Sequence, residues 1–373
     1  MNTRQNPHNP AMSIFRLRVV CSACRCNVMT STDNTPFHLQ GHLDQLYDDG
    51  DRQFAFRAND QQAFARWQAQ FRVALKQCLA VSDDSLPENP STRLLSSTNK
   101  GTYTEEKYAL DVGDVFAPMY ILIPNQPPPY VPVLAFHGHG SGVQLILGND
   151  PAEIQAREQS ASDDNFAQRL AEDGYLVCAL EQRGFGERVT DRFNNDKQNA
   201  CRHLAFEYML NGQTLLGKRI QDAMIAINYL QQRADVHFDL LASVGFSGGG
   251  TTALFLSVLD ERIHSTIVAS YFCAFKQSIL GVAHCECNYV PGILTLGEIG
   301  DITALIAPRN LCIISGERDP IFPIDGVKSQ LTTVERAYAL LNATNACTCL
   351  IHDGAHVHRH DLCSPWLNAH TVK

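Results

Sequence analysis

Apolar residues recur along this chain with two different periods, and the change between them divides it. Between residues 37 and 80, Phe54, Phe56, Phe64, Trp67, Phe71 and Leu75 return near helical spacing with polar residues between them. That spacing predicts helix. Pro87 and Pro90 break the pattern, so residues 37–100 are expected to form a helical extension of the main domain. From Tyr103 the period shortens. Tyr108–Val112 and Pro118–Ile123 read as the two strands of a hairpin, and Pro127–Pro129 as the next turn after it. Val131–Phe136, Tyr175–Leu180, Leu241–Phe246, Ile267–Tyr271, Leu311–Ile314 and Cys349–Ile351 read as further strands. Phe166–Asp173, Leu215–Leu230, Gly248–Leu259 and Val327–Leu341 read as helices, the first ended by Gly174. Near-continuous apolar strands alternating with helices predict an α/β domain over residues 101–373, a mostly parallel central sheet flanked by helices. The stretch from Cys273 to Ala307 is too long for a plain connection and is expected to be an insertion that walls the substrate site.

Composition narrows the partners. Hydrophobic residues make up 45% of the 373 and charged residues 18%, the balance of a soluble globular chain with ample core. A formal net charge of -9 argues against nucleic acid, whose phosphates need a clustered positive surface. No apolar run approaches the roughly 18 residues that cross a bilayer. The N-terminus carries Arg4, Arg16 and Arg18 and only a short apolar patch at Val19–Cys21, unlike a secretory signal. A cytoplasmic protein with a disordered segment over residues 1–36 is expected, with Met12 and Met29 as alternative starts. The 13 cysteines are an odd, scattered set, which favours reduced thiols. Cys21, Cys24 and Cys26 cluster without a second pair nearby. Cys285–Cys287 and Cys347–Cys349 are C-x-C pairs; in a strand each pair shares a face, so buried structural thiols are expected.

The chemistry concentrates at Gly245–Phe246–Ser247–Gly248–Gly249. This G-x-S-x-G lies between an apolar strand and an apolar helix, the setting of a strained turn that pushes a nucleophilic serine out at the sheet's carboxyl edge. A glycine-rich turn with an idle serine is the alternative, and it would not need that setting. A serine needs a base. His356, in the loop after the last strand, is the candidate, with His358 and His360 as rivals. Asp319, past the strand Leu311–Ile314 and before Pro320, is the acid that would orient the histidine, with Glu317 and Asp325 as alternatives. An oxyanion needs two backbone donors. Gly248 is one; His139 is the other, in the glycine-rich loop His137–Gly142, with Gly138 as runner-up. His137 and His139 form an H-x-H pair that can bind zinc, but sequence places no further ligand beside them, so no metal and no cofactor are expected. A third loop, Glu181–Arg188, reads as structural, at the rim of the site, with Arg183 a candidate partner for a carboxylate near the triad.

The motifs H-G-H-G-S-G, R-G-F-G-E-R, G-F-S-G-G-G-T-T-A-L, H-C-E-C-N-Y-V-P-G, G-E-R-D-P-I-F-P and D-G-A-H occur in this order between Tyr103 and His356. Together they resemble the dienelactone-hydrolase and acetyl-xylan-esterase-like branch of the α/β hydrolases. The resemblance implies an α/β-hydrolase fold and an esterase acting on small carboxylic esters, and its pattern falls on Ser247, Asp319 and His356. Such sequences usually carry glycine where Ala355 stands, and an aromatic residue or arginine soon after the histidine. Here Val357 and His358 follow, so contacts at the rim are expected to differ. The expected partner is a small-molecule ester, with homo-oligomerisation left open. The competing readings are a serine peptidase of the prolyl-oligopeptidase kind and a catalytically inactive fold used for binding.

Overall fold

The computed structural model describes residues 39–82, 86–158, 162–193 and 197–371. The expected disordered segment and the cluster Cys21, Cys24 and Cys26 lie outside them. The chain divides into two units, residues 1–46 and 47–373. Helix α1 (Leu39–Asp48) supplies the described part of the first.

The elements of the second unit follow the expected alternation. Helix α2 (Gln61–Leu79) precedes a three-strand antiparallel meander, β1 (Thr92–Asn99), β2 (Tyr103–Asp111) and β3 (Phe116–Pro124). Then come β4 (Pro132–Phe136), α3 (Val143–Ile146), α4 (Pro151–Glu158), α5 (Phe166–Glu172), β5 (Leu176–Leu180), α6 (Lys197–Leu210) and α7 (Leu215–Gln231). The second half comprises β6 (Ala242–Phe246), α8 (Gly248–Leu259), β7 (Ser265–Ala269), α9 (Ile293–Leu296), α10 (Ile299–Ala304), β8 (Asn310–Gly316), α11 (Ile324–Leu340), β9 (Cys347–His352) and α12 (His360–Thr371). One nine-stranded sheet results, in the order β1-β2-β3-β5-β4-β6-β7-β8-β9. The strands from β5 to β9 pair in parallel, and the meander joins them antiparallel through β3 and β5.

Every residue of β4, β5, β6 and β7 is buried, because apolar cores cover both faces of the sheet. The larger core takes its helical side chains from α2, α7, α8, α9, α10 and α11, the smaller from α3, α5 and α12. Among the described residues no helix is long and apolar enough to cross a membrane.

The expected helical extension differs from the structure between α1 and α2 and at its carboxyl end. Phe54 and Phe56 lie in the irregular segment before α2, where Phe54 stacks on Phe71 with ring centroids 4.8 Å apart. They reach the core as the helical aromatics do, which is why their spacing looked helical. Residues 92–99 are strand β1, whose side chains are mostly exposed, so no apolar alternation marks it. Helix α2 itself is clear. Asp60 caps it by accepting from Ala63 N at 2.7 Å, and Phe64, Phe71, Leu75 and Leu79 form its buried face. Arg72 and Gln68 donate to the Val258, Leu305 and Ala307 carbonyls and tie that face to the sheet domain.

Candidate active site

Four loops at the carboxyl ends of the parallel strands converge. Ser247 follows β6, His139 follows β4, Asp319 follows β8 and His356 follows β9, the edge where open α/β sheets bind ligands. Ser247 sits between strand and helix with φ 54° and ψ −123°, the left-handed region rarely occupied by a residue with a Cβ. The tight turn leaves no room beside it: a Cβ on Gly249 would lie 1.8 Å from the Phe136 carbonyl oxygen. Ser247 N donates to the Ala269 carbonyl at 2.9 Å, which anchors the turn to β7.

Three of the expected side chains form one relay. Ser247 Oγ lies 2.9 Å from His356 Nε2, and His356 Nδ1 lies 2.8 Å from Asp319 Oδ2. This pairing fixes the tautomer: Nδ1–H donates to the carboxylate and Nε2 accepts from the serine hydroxyl. Asp319 is buried, and its other oxygen accepts from Ile321 N at 2.8 Å and Phe322 N at 3.0 Å. Phe246 and Phe322 pack against the imidazole, with centroids 5.0 and 5.7 Å from it. Backbone bonds zip the acid and base loops together, Glu317 N to the His352 carbonyl at 2.8 Å and Arg318 N to the Gly354 carbonyl at 3.0 Å.

The rival histidines point elsewhere. His358 is fully buried, with its ring stacked on Phe166 at 4.5 Å, and burial, helped by His360, pushes its pKa down to about 3. His360 lies 2.9 Å from Asp173, on the smaller-core side. Neither alternative acid takes the place of Asp319 in the relay; Asp325 lies in the first turn of α11.

The glycine-rich loop reaches Ser247 as expected. A Cβ on Gly138 would lie 3.2 Å from Ser247 Cβ, and one on Gly248 would meet the His139 ring at 2.6 Å and His139 N at 3.7 Å. The His139 backbone therefore runs close to Gly248, the residue after the serine. Gly248 begins α8, whose first N–H groups have no intrahelical acceptor.

The loop Glu181–Arg188 is not at the rim. Glu181, Gln182 and Arg183 are buried beneath the site. Gln182 N donates to His137 Nε2 at 3.1 Å, Gln182 Nε2 donates to the His137 carbonyl at 2.6 Å, and Thr252 of α8 donates to Gln182 Oε1 at 2.6 Å. Val143 N donates to Glu181 Oε1 at 3.0 Å. These bonds hold the His137–Gly142 loop against α8. Arg183 pairs with Asp222 at 2.8 Å and Asp114 at 2.7 Å, and Arg188 with Asp222 at 2.6 Å. Arg183 thus pairs with carboxylates, as expected of its type, but neither Asp222 nor Asp114 is a member of the relay.

The insertion after Cys273 contains α9, α10 and a 3₁₀ turn at Glu286–Asn288. Its His284 ring packs on Phe322 at 5.1 Å, so the segment backs the aromatic that contacts His356. Cys287 lies in that turn and Cys285 immediately precedes it, neither in a strand, which corrects their expected geometry. They meet His139 and, from α6, Cys201: the four ligand atoms all lie within 4.8 Å of one another. From the sequence His139 pairs only with His137 as a possible zinc ligand; its approach to the cysteines is not legible there, because they are 62 to 148 residues away. The pair Cys347–Cys349 does lie in a strand, β9, and packs with the larger core.

Sheet order, strained serine turn and converging loops define the α/β-hydrolase fold. Within that class the chain belongs to the abhydrolase family, whose family model matches residues 21–353. It is 29% identical to the Bacillus subtilis (strain 168) protein named "Putative hydrolase YtaP" over 237 residues, 61% of this chain and 75% of that one. Its fold is similar to that of a "putative acetyl xylan esterase" from Bacteroides fragilis NCTC 9343, with TM-score 0.75 and 17% identity, covering 91% of this chain and 97% of that one. A glucuronoyl esterase from Solibacter usitatus shares the fold at TM-score 0.59 and 16% identity, covering 84% of this chain and 95% of that one.

Proposed function

We propose that this protein is a serine esterase that cleaves small carboxylic esters, acetyl or short-acyl, through an acyl-enzyme. The observation that carries the reading is the relay Ser247–His356–Asp319, with both hydrogen bonds under 3 Å. Ser247 Oγ attacks the ester carbonyl carbon while His356 Nε2 takes the hydroxyl proton. The carbonyl oxygen becomes an oxyanion that accepts from Gly248 N and His139 N. Asp319 holds the imidazole in orientation and stabilises its charged form. The tetrahedral intermediate collapses, the C–O bond to the alcohol breaks, and His356 protonates the leaving oxygen. Water then attacks the acyl carbon with His356 again as base, and Ser247 leaves with the proton. Needing neither redox chemistry nor an electron sink, these steps require no cofactor. The ester-cleaving names of the fold neighbours support the choice of an ester over a peptide bond.

Ser247→Ala assayed on p-nitrophenyl acetate tests the reading. Loss of about three orders of magnitude or more in kcat is expected. Activity within a few-fold of wild type sinks it.

A further inference from the structure

Beside the serine, and not used by the relay, lies a group of four soft or borderline donors. Cys201 Sγ is 3.3 Å from Cys285 Sγ, Cys287 Sγ is 3.4 Å from His139 Nε2, and Cys201 Sγ is 3.9 Å from the same nitrogen. Zinc bonds of about 2.3 Å to sulfur and about 2.0 Å to nitrogen place tetrahedral ligand atoms roughly 3.5–3.8 Å apart. These three distances lie close to that range, and all four ligand atoms lie within 4.8 Å of one another. Cys201 and Cys287 are buried, and His139 and Cys285 are half-buried. We propose that His139, Cys201, Cys285 and Cys287 form a closed tetrahedral zinc site.

Charge supports a metal. Three thiolates, a neutral imidazole and a divalent ion sum to one negative charge, which is costly to bury alone. Arg219, buried on α7, donates to Cys201 Sγ at 3.1 Å and supplies the missing positive charge. It is fixed there by two bonds to the Arg183 carbonyl, at 3.1 and 2.7 Å, and by packing on Phe185. Phe185 in turn lies edge-on to the His139 ring at 5.2 Å. Asn288 Nδ2 donates to the Cys285 carbonyl at 3.1 Å and to Cys287 Sγ at 3.7 Å, which orients the thiol-bearing turn. Donor softness selects zinc over magnesium or calcium. On binding, the three thiols release their protons to solvent.

Four protein ligands leave no open position, so the ion is structural and takes no part in ester cleavage. Its place gives it a role all the same. It ties the α6 helix and the insertion to the loop that presents His139 N, pinning one donor next to Ser247.

The full chain, expressed reduced and dialysed against zinc, is examined by elemental analysis and by cobalt substitution. About one zinc per chain is expected, and the cobalt form shows thiolate-to-metal charge transfer with intense tetrahedral visible bands. Cys287→Ser and Cys285→Ser weaken zinc affinity by at least roughly 100-fold. Metal content is read directly, so failure here leaves the esterase reading untouched, and the wild-type cobalt spectrum stands even where a variant folds poorly. Less than about a tenth of an equivalent of zinc in the reduced wild-type chain, an octahedral cobalt spectrum, or a Cys201–Cys285 disulfide that persists in place of metal overturns the proposal.

Discussion

Ser247 holds φ 54° although it carries a Cβ. Such a conformation costs roughly 1–3 kcal/mol and persists only where its surroundings impose it. In the proposed reaction the hydroxyl is kept there for attack, not for folding. Ser247→Gly is therefore expected to leave stability unchanged or raise it by up to about 1 kcal/mol in urea denaturation, while ester hydrolysis disappears. A clear loss of stability contradicts the idea that the turn is strained. The neighbouring histidines separate just as sharply. His356→Ala removes the proposed base, whereas His358→Leu removes a ring that is buried on the smaller-core side. Turnover on p-nitrophenyl acetate is expected to fall by orders of magnitude for the first and stay within a few-fold for the second. Sequence alone placed Ser247, Asp319 and His356 because each sits just past an apolar strand. It left His358 and His360 as rivals because their burial and their Phe166 and Asp173 partners depend on α5.

At the scale of elements, the acid and base loops meet where Gly316 ends β8. A Cβ there would lie 2.2 Å from the Ala355 carbonyl oxygen and 2.7 Å from that of Gly354. Gly316→Ala is expected to push the loops apart, lowering kcat at least tenfold with a smaller change in KM; an unchanged kcat means the loops shift at no cost to the relay. Beneath the glycine-rich loop, Asp222 serves two arginines at once, Arg183 and Arg188. Asp222→Ala leaves both cations buried without it, so a loss of roughly 3–5 kcal/mol is expected in chemical denaturation. A loss below about 1 kcal/mol shows that Asp114 or solvent compensates them. The buried strands and α7, α8 and α11 were legible as apolar runs. Helix α6 was not, because its exposed and buried positions are mixed, and α12 was not, because Pro365 lies inside it and reads as a break. The group at His139 was invisible for a different reason. Its four members come from three separate loops and helices, and only the chain's path over the sheet brings them together.

Over the whole molecule, burial couples stability to pH. The His358 pKa is about 3 in the folded protein and about 6.5 in an unfolded chain. Between those values the unfolded chain binds a proton that the folded one refuses, so stability falls as pH drops from about 6.5 toward 3. The slope from this single residue reaches at most about 1.4 kcal/mol per pH unit. His358→Leu is expected to flatten the acid limb of the melting-temperature profile relative to wild type and to leave the profile above pH 7 parallel. Identical acid limbs contradict the assignment. The parallel half of the sheet positions the relay, and the antiparallel meander β1–β3 extends the sheet at its far edge.

In the proposed reaction Ser247 is a nucleophile activated by His356. A fluorophosphonate probe added to the native full-length protein, followed by intact mass and peptide mapping, tests it most directly. One phosphonyl adduct on Ser247, lost on heat denaturation before labelling and in His356→Ala, is the predicted result. An unlabelled chain, or an adduct on another residue with Ser247 untouched, contradicts the account.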